Sequence, residues 1–351
     1  MFDHQNWKHQ LKYAIRTVDE AAKQLGITDT KVLKEVESEY PIYISPYYLN
    51  LIDKKDPLND PIWKLSMPDA QELNDMDSSF DPLSEEEQMP VDRLIHRYPD
   101  RVVMLTTNRC PMLCRHCFRK RYWKSGEDWA DITIKQIDAI CAYLAENSGI
   151  NEVLISGGDP LMLSNKKLKI ILDKLTAVEN IDVIRMATRI PVTLPMRIDD
   201  ELIDILKQYP QIWFVTHYNH VKELTEESIE SCRKITSIGI PILNQAVLMK
   251  GINDNAKTLE ELFRKLVKHR IKPHYLFHVD PVRGVKHFAT GVQVGLDILR
   301  EFKTSLSSIA VPHFAIDLPG GGGKVALQPD YNNGKGYSSM NGDVIEYYKD
   351  L

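Results

Sequence analysis

The sequence predicts an α/β protein built as a partial (βα)6 barrel, with an N-terminal helical and irregular extension and a C-terminal segment. Three observations carry this. After about residue 90, short β-branched runs alternate with amphipathic helical patterns. The alternation runs to about six units, which suits a parallel sheet that curls under crossovers of one hand. A group of cysteines follows the first strand directly, at the carboxyl edge where barrels place their chemistry.

Taken in order, residues 1–90 lack that alternation and are rich in Pro, Asp and aromatics. Within them, 8–25 has helical periodicity, with Leu11, Ala14, Ile15, Val18 and Ala22 on one stripe. Ser84 to Gln88 reads as an acidic linker ending near Pro90. Strands are expected at 102–106, 152–156, 182–186, 212–216, 242–248 and 274–279. Helices are expected between them at 134–146, 167–176, 201–207, 223–238 and 259–269. The predicted divisions are an extension at 1–90, the barrel at 91–304 and a separate glycine-rich tail at 305–351.

The chain has 351 residues, 43% hydrophobic and 26% charged, enough for a large core. A net charge of −5 leaves no basic footprint for nucleic acid. The one basic group, Arg115, Arg119, Lys120 and Arg121, lies beside the cysteines and points to anionic ligands there. The first residues carry no apolar core of a signal peptide, and no 18-residue apolar run occurs, so a soluble cytoplasmic protein without a membrane partner is expected. Five cysteines, three of them in one motif, do not make a disulfide framework. Cys141 and Cys232 fall in predicted helices and read as buried apolar residues.

The motif is Cys110-Pro111-Met112-Leu113-Cys114-Arg115-His116-Cys117. Three thiolates from one short loop suit a [4Fe–4S] cluster whose fourth iron has no protein ligand. An open iron binds a small molecule through an amine and a carboxylate, as S-adenosylmethionine (SAM) does in radical SAM enzymes. A zinc knot would want a fourth ligand, and His116, between two of the cysteines, does not readily supply it. Ser156-Gly157-Gly158-Asp159 follows the second strand, and its glycines would let an amino-acid moiety approach the backbone. Read alone, it is equally an ordinary βα turn.

Asp317-Leu318-Pro319 leads into Gly320 to Gly323 and then Lys324. Ordering four glycines costs backbone entropy, so the run suits a lysine that must swing, as one in a Schiff base with pyridoxal phosphate (PLP) does. A phosphate loop would need Ser or Thr after the lysine, where Val325 stands; a flexible linker is the other reading. Arg97 and Arg101, four apart, could clamp a phosphate, although surface arginines are the plainer explanation when they are taken alone.

Together these residues resemble the lysine 2,3-aminomutase family of radical SAM, PLP-dependent enzymes. The likeness runs through ISPYYLNLIDKKDPLNDPIWK at 44–64, DPLSEEEQMPVDRLIHRYPDRV at 81–102 and CRHCFRKR at 114–121. It continues in SGGDPLML at 156–163, THYNH at 216–220, LNQAVL at 243–248, GVKHF at 284–288 and DLPGGGGKVALQPDY at 317–331. The resemblance implies a radical SAM barrel, an isomerase activity and three cofactors: a [4Fe–4S] cluster, SAM and PLP. Cys110, Cys114 and Cys117 would bind the cluster, and Ser156, Gly157, Gly158 and Asp159 would line SAM. Lys324 would hold PLP, Arg97 and Arg101 its phosphate, with Gln245 nearby. Arg119 would pair with the substrate carboxylate, and Asp280 and Asp317 would receive the distal ammonium of lysine.

Two acids argue for a cationic amino acid, because a buried carboxylate pair is costly without a cation, and a glutamate enzyme would need the opposite charge. Either aspartate could instead cap a turn beside Pro281 or Pro319. The implied reaction is L-lysine to β-lysine, with an electron donor such as flavodoxin or ferredoxin. Arginine, ornithine and a lysine held on elongation factor P are the alternative substrates. An iron–sulfur electron-transfer or sensor protein is the alternative from another class, and it leaves Lys324 and its glycines unexplained. The sequence stops at Leu351 without the C-terminal cysteines that bind zinc in some relatives, so zinc is not expected and homo-oligomeric assembly stays open.

Overall fold

The computed structural model describes residues 2–75, 77–124 and 131–346. Among them one sheet carries nine strands in sequence order. A hairpin of β1 (Leu94–Tyr98) and β2 (Arg101–Leu105) opens it. Parallel to β2 follow β3 (Glu152–Ser156), β4 (Val183–Ala187), β5 (Ile212–Thr216), β6 (Ile242–Leu248), β7 (Ile271–His278) and β8 (His313–Leu318). Then β9 (Gly323–Leu327) turns back antiparallel on β8. The fold is the expected α/β barrel, and all six expected strands are present.

The helices between the strands begin where side chains cap them. Thr133, Ser164, Asp199, Thr225 and Asn255 each accept a first-turn N–H, for helices Ile134–Glu146, Asn165–Thr176, Asp200–Leu206, Glu226–Ser237 and Ala256–Lys268. Cys232 is buried in one of these helices, as expected, whereas Cys141 is only half-buried. No helix among the described residues is long and apolar enough to cross a membrane.

Burial along the strands shows what the barrel contains. A parallel strand covered on both faces is usually buried throughout, yet β6 alternates buried and half-buried residues along its whole length. The buried set, with Ile155, Ile184, Met186, Phe214, Ala246 and Leu276, belongs to the hydrophobic core. The other set, with Leu154, Arg185, Trp213, Gln245 and Phe277, lines an internal cavity of about 740 Å³. The barrel is therefore hollow, unlike one filled by layers of side chains.

Three expectations are corrected. The 8–25 stripe is two helices, Trp7–Lys12 and Val18–Leu25. The break comes because Thr17 and Glu20 form a capping box, while Ile15 exchanges both backbone hydrogen bonds with Ile44. The glycine-rich tail is not separate, since β8 and β9 continue the sheet past residue 304; residues 347–351 of that segment lie outside those described. The 84–88 stretch is not a linker. Glu85 accepts from Arg119 and Gln88 from Arg97, each at 2.7 Å. Just before them, Gly320 N donates to Pro82 O at 2.9 Å and Arg97 Nη2 to Leu83 O at 2.8 Å, so residues 82–88 strap β1 to the β8–β9 turn.

Candidate active site

The cavity brings together every residue given a cofactor or substrate role. Of the basic group beside the cysteines only Arg119 reaches it, because Arg115 and Lys120 turn to the buried Glu72 and Arg121 to Glu85. Cys110, Cys114, Cys117, Arg119, Ser156, Gly157, Gly158 and Asp159 line the cavity, together with Arg97, Arg101, Gln245, Asp280, Asp317 and Lys324.

The cysteine loop is held by the N-terminal extension. Leu113 N donates to Tyr43 O at 2.9 Å, Arg115 N to Leu65 O at 2.9 Å, and Ser45 N to Pro111 O at 3.1 Å. All three thiols are free. Burial pushes the Cys110 thiol well up, with Asp159 and the other two thiols adding to the shift. It pushes the Cys117 thiol to about 11, where Cys114 adds and Arg119 and Lys120 oppose. Arg189 Nη1 donates to Cys114 Sγ at 2.9 Å, and its other nitrogens reach Glu223 and the His217 carbonyl. Among the described residues no three His, Cys, Asp or Glu side chains converge as a single metal ion requires. A [4Fe–4S] cluster makes no such demand, because each thiolate bonds a different iron. The donor set of three thiols in one loop fits that group.

The Gly157-Gly158 turn is explained by packing. Gly157 has φ +130°, and a Cβ on it would overlap the Thr107 carbonyl; one on Gly158 would overlap the carbonyl of Arg109. The glycines thus admit the backbone of the cysteine loop itself. Asp159 is buried, and its carboxylate accepts from Thr188 Oγ1 at 2.7 Å, Arg189 N at 2.7 Å and Leu161 N at 3.0 Å. Burial raises its pKa to about 6 against those hydrogen bonds. The carboxylate ties its own turn to the loop after β4, and the turn still presents Ser156 to Asp159 to the cavity.

Lys324 sits in a strand, not on a swinging loop. Its cross-strand partner is Asp317, its N–H donates to Tyr98 Oη at 2.8 Å, and its Nζ lies 3.9 Å from Asp317 Oδ2. The ammonium stands 4.5 Å from the Phe277 ring centre and 4.8 Å from that of Tyr275. The glycines before it make the tight turn, with positive φ at Gly320, Gly321 and Gly323. The side chain is 29% exposed, with the cavity before it. Burial, helped by Arg185 and Arg101, lowers its pKa, while Asp317 and Asp280 oppose the shift. Asp280 is pushed up to about 7 by burial and then by Asp317, against the pull of Lys324 and Arg119.

Arg97 and Arg101 stand on the two strands of the β1–β2 hairpin. Arg97 Nε donates to Gln88 Oε1 at 2.7 Å; Arg101 pairs with Asp100 at 2.8 Å and stacks 3.9 Å from the Tyr98 ring centre. Arg185 also lines this cavity, paired with Glu152 on the next strand. The amine of Lys324 with the guanidinium groups of Arg97, Arg101 and Arg185 fits a phosphate-bearing aldehyde such as PLP. Arg119 turns its Nε and Nη2 to Glu85 at 3.0 and 2.7 Å and donates from Nη1 to Ser156 Oγ at 3.0 Å.

Sequence reading missed Glu85, Arg185, Arg189 and His217, all of which line the cavity or pair with residues that do. The inward period of β4 is a usable signal for Arg185, and Glu85 belongs to the acidic 84–88 stretch.

A family profile described as the radical SAM superfamily matches residues 104–266, and one described as lysine-2,3-aminomutase matches residues 299–339. The chain is 40% identical over 351 residues to a putative L-lysine 2,3-aminomutase of Aquifex aeolicus, spanning 97% of this chain and 94% of that one. It is 41% identical over 329 residues to the L-lysine 2,3-aminomutase of Bacillus subtilis, spanning 93% of this chain and 69% of that one. It is also 40% identical over 336 residues to a glutamate 2,3-aminomutase of Clostridioides difficile, spanning 95% and 79%.

Proposed function

The chain belongs to the lysine 2,3-aminomutase family of radical SAM isomerases, and from that premise we propose that it converts free L-lysine to β-lysine by moving the amino group to the adjacent carbon. The observation that carries the substrate is the acidic pair Asp280 and Asp317 in the cavity that Lys324 and Arg119 also line. A carboxylate pair there calls for a cation at the far end of the substrate, and the Arg119 guanidinium calls for an anion at the near end. Glutamate would set a third carboxylate against the two aspartates.

Cys110, Cys114 and Cys117 would hold the [4Fe–4S] cluster, and the turn from Ser156 to Asp159 would line SAM. Lys324 would hold PLP, with Arg97, Arg101 and Gln245 around it. When bound, cluster and SAM supply a carbon-centred radical that takes and returns a hydrogen, and PLP supplies the conjugated carbon that keeps the migrating nitrogen attached. The chain's own contribution is positional. Arg119 fixes the carboxylate, and Asp280 and Asp317 fix the distal ammonium, so the carbon between them is presented to one wall of the cavity. The lowered pKa of Lys324 keeps more of its amine neutral and nucleophilic.

The test is an anaerobic assay of the reconstituted protein with SAM, PLP and dithionite, supplied with lysine, arginine, ornithine and glutamate together. β-Lysine as the sole product is the expected result. A different β-amino acid would move the substrate, and SAM cleavage without any free product would point to a protein-bound lysine. Lys324→Ala is expected to lose the visible absorption of bound PLP, and a variant that keeps it with full turnover would refute the role given to Lys324.

A further inference from the structure

Glu85 is 3% exposed and its carboxylate meets two guanidinium groups. Arg119 fills one side with a two-pronged contact at 3.0 and 2.7 Å, and Arg121 Nη2 adds a third bond at 2.8 Å. Burial would raise the carboxyl pKa, but Arg119 and Arg121 more than offset it and hold the group below its ordinary value. A buried ion pair of this kind stabilises a fold weakly compared with apolar packing, so its presence asks for another reason.

Geometry supplies one. A guanidinium offers two forked edges. On Arg119 the Nε–Nη2 edge belongs to Glu85, and its Phe118 neighbour lies 4.6 Å away over a ring face. That leaves Nη1, whose partner is a neutral hydroxyl, Ser156 Oγ at 3.0 Å, on the cavity wall. Arg121 is met by Asp81 and Glu86 as well as by Glu85, whereas among the described residues Glu85 is the one carboxylate paired with Arg119. The Nη1 of Arg119 therefore turns to the cavity wall with a hydroxyl and no carboxylate on it.

We propose that Glu85 is the positioning residue for carboxylate recognition: it occupies one edge of Arg119 and so fixes which nitrogen meets the substrate carboxylate. This rests on the reading of Arg119 as the carboxylate-binding residue. Glu85 also belongs to the strap that bonds Arg97 and Gly320, so the carboxylate position is set from the same segment that touches the other proposed ligand sites.

The test compares lysine with lysinamide, which lacks the carboxylate, as ligands of the holoenzyme by calorimetry, with kcat for lysine measured alongside. Glu85→Gln is expected to weaken lysine by about tenfold and to lower kcat, while lysinamide changes less than about twofold. Glu85→Asp keeps the charge with a shorter reach and is expected to show the same selective loss at smaller size; it serves if the glutamine variant does not fold. Adding Glu85→Gln to Arg119→Ala should cost nothing more, because the two act as one unit. Equal losses for both ligands, or unchanged lysine binding, would overturn the proposal. If Arg119→Ala itself keeps the preference for lysine over lysinamide, the carboxylate role of Arg119 falls first, and the role of Glu85 falls with it.

Discussion

At the scale of single residues, the site is a set of charges whose burial is only partly compensated, and Asp280 shows the consequence. Its pKa, pushed up to about 7 by burial and by Asp317, leaves much of it protonated below neutrality. The distal ammonium of lysine stays charged up to about pH 10. Lysine binding should therefore strengthen as pH rises through about 7, where the second carboxylate ionises. Asp317→Asn removes the second-largest cause and should move this limb to lower pH; a limb that stays near 7 in that variant would assign it to another group. Stability carries the opposite sign. The folded pKa lies above the unfolded value of 3.8, so the folded state keeps a proton that the unfolded chain releases, and stability falls as pH rises between those values. Asp280→Asn should then be more stable than the parent at pH 8, by on the order of 2 kcal/mol, with the difference fading near pH 4. Thermal melting at the two pH values checks it, and a pH-independent difference would refute it. The site motifs themselves were legible: the cysteine spacing, the two arginines and Lys324 each stood out by residue type. The partner of Arg119 was not, because an acid 34 positions upstream leaves no periodic trace.

At the scale of elements, the strands that could be read were those with β-branched runs bounded by capped helices. The region after β7 lacked those signs for a physical reason. Helix Val292–Ser305 carries Gly295 in its interior and no side-chain cap at Gly291, which weakens a helical reading. Gly295 is there because any Cβ would overlap the ring of Phe314 in β8. The strand it hides was therefore missed along with it. The four glycines misled in the other direction. Backbone freedom in the unfolded chain was read as mobility, whereas positive φ at Gly320, Gly321 and Gly323 is used to build one tight turn in front of β9. A similar distinction separates Gly157 from Gly239. Both have positive φ, but a Cβ on Gly157 meets the Thr107 backbone and one on Gly239 meets nothing within 4 Å. Gly239→Ala should cost about 1 kcal/mol, and Gly157→Ala more than about 2 kcal/mol together with poor cluster reconstitution. Urea unfolding of the two variants decides this, and equal losses would mean that the turn can move away from the cysteine loop.

At the scale of the whole molecule, the extension before residue 90 is a clamp on the barrel. Its hydrophobic residues join the barrel core in one continuous cluster. Its acids reach loops far along the chain: Asp75 accepts from the backbone N–H of Gly284, Val285 and Lys286, and Glu72 meets both Arg115 and Lys120. Composition gave no hint of this, since periodicity reports which face of an element is buried and not which distant loop an isolated acid will meet. The Glu72 cluster is the sharpest case. Glu72 and Arg115 have fully buried side chains, Lys120 is 2% exposed, and Lys120 also donates to Gly284 O at 2.8 Å. One carboxylate thus ties the extension to the cysteine loop and, through Lys120, to the loop that follows Asp280. Burial lowers the Lys120 pKa to about 8 even with Glu72 opposing it. Removing Glu72 would strand two cations away from water. Breaking a buried pair in this way costs about 3–5 kcal/mol, so Glu72→Ala should lower the urea midpoint by a corresponding amount. It should also raise hydrogen exchange at 110–121 and 284–288 together, because both loops lose the same anchor. Lys120 would release its proton more readily in that variant, which makes the loss smaller at pH 9 than at pH 7. A variant that unfolds with the parent midpoint, or exchange that rises in one loop alone, would show that the two loops are held independently and that the extension does not act as their common clamp.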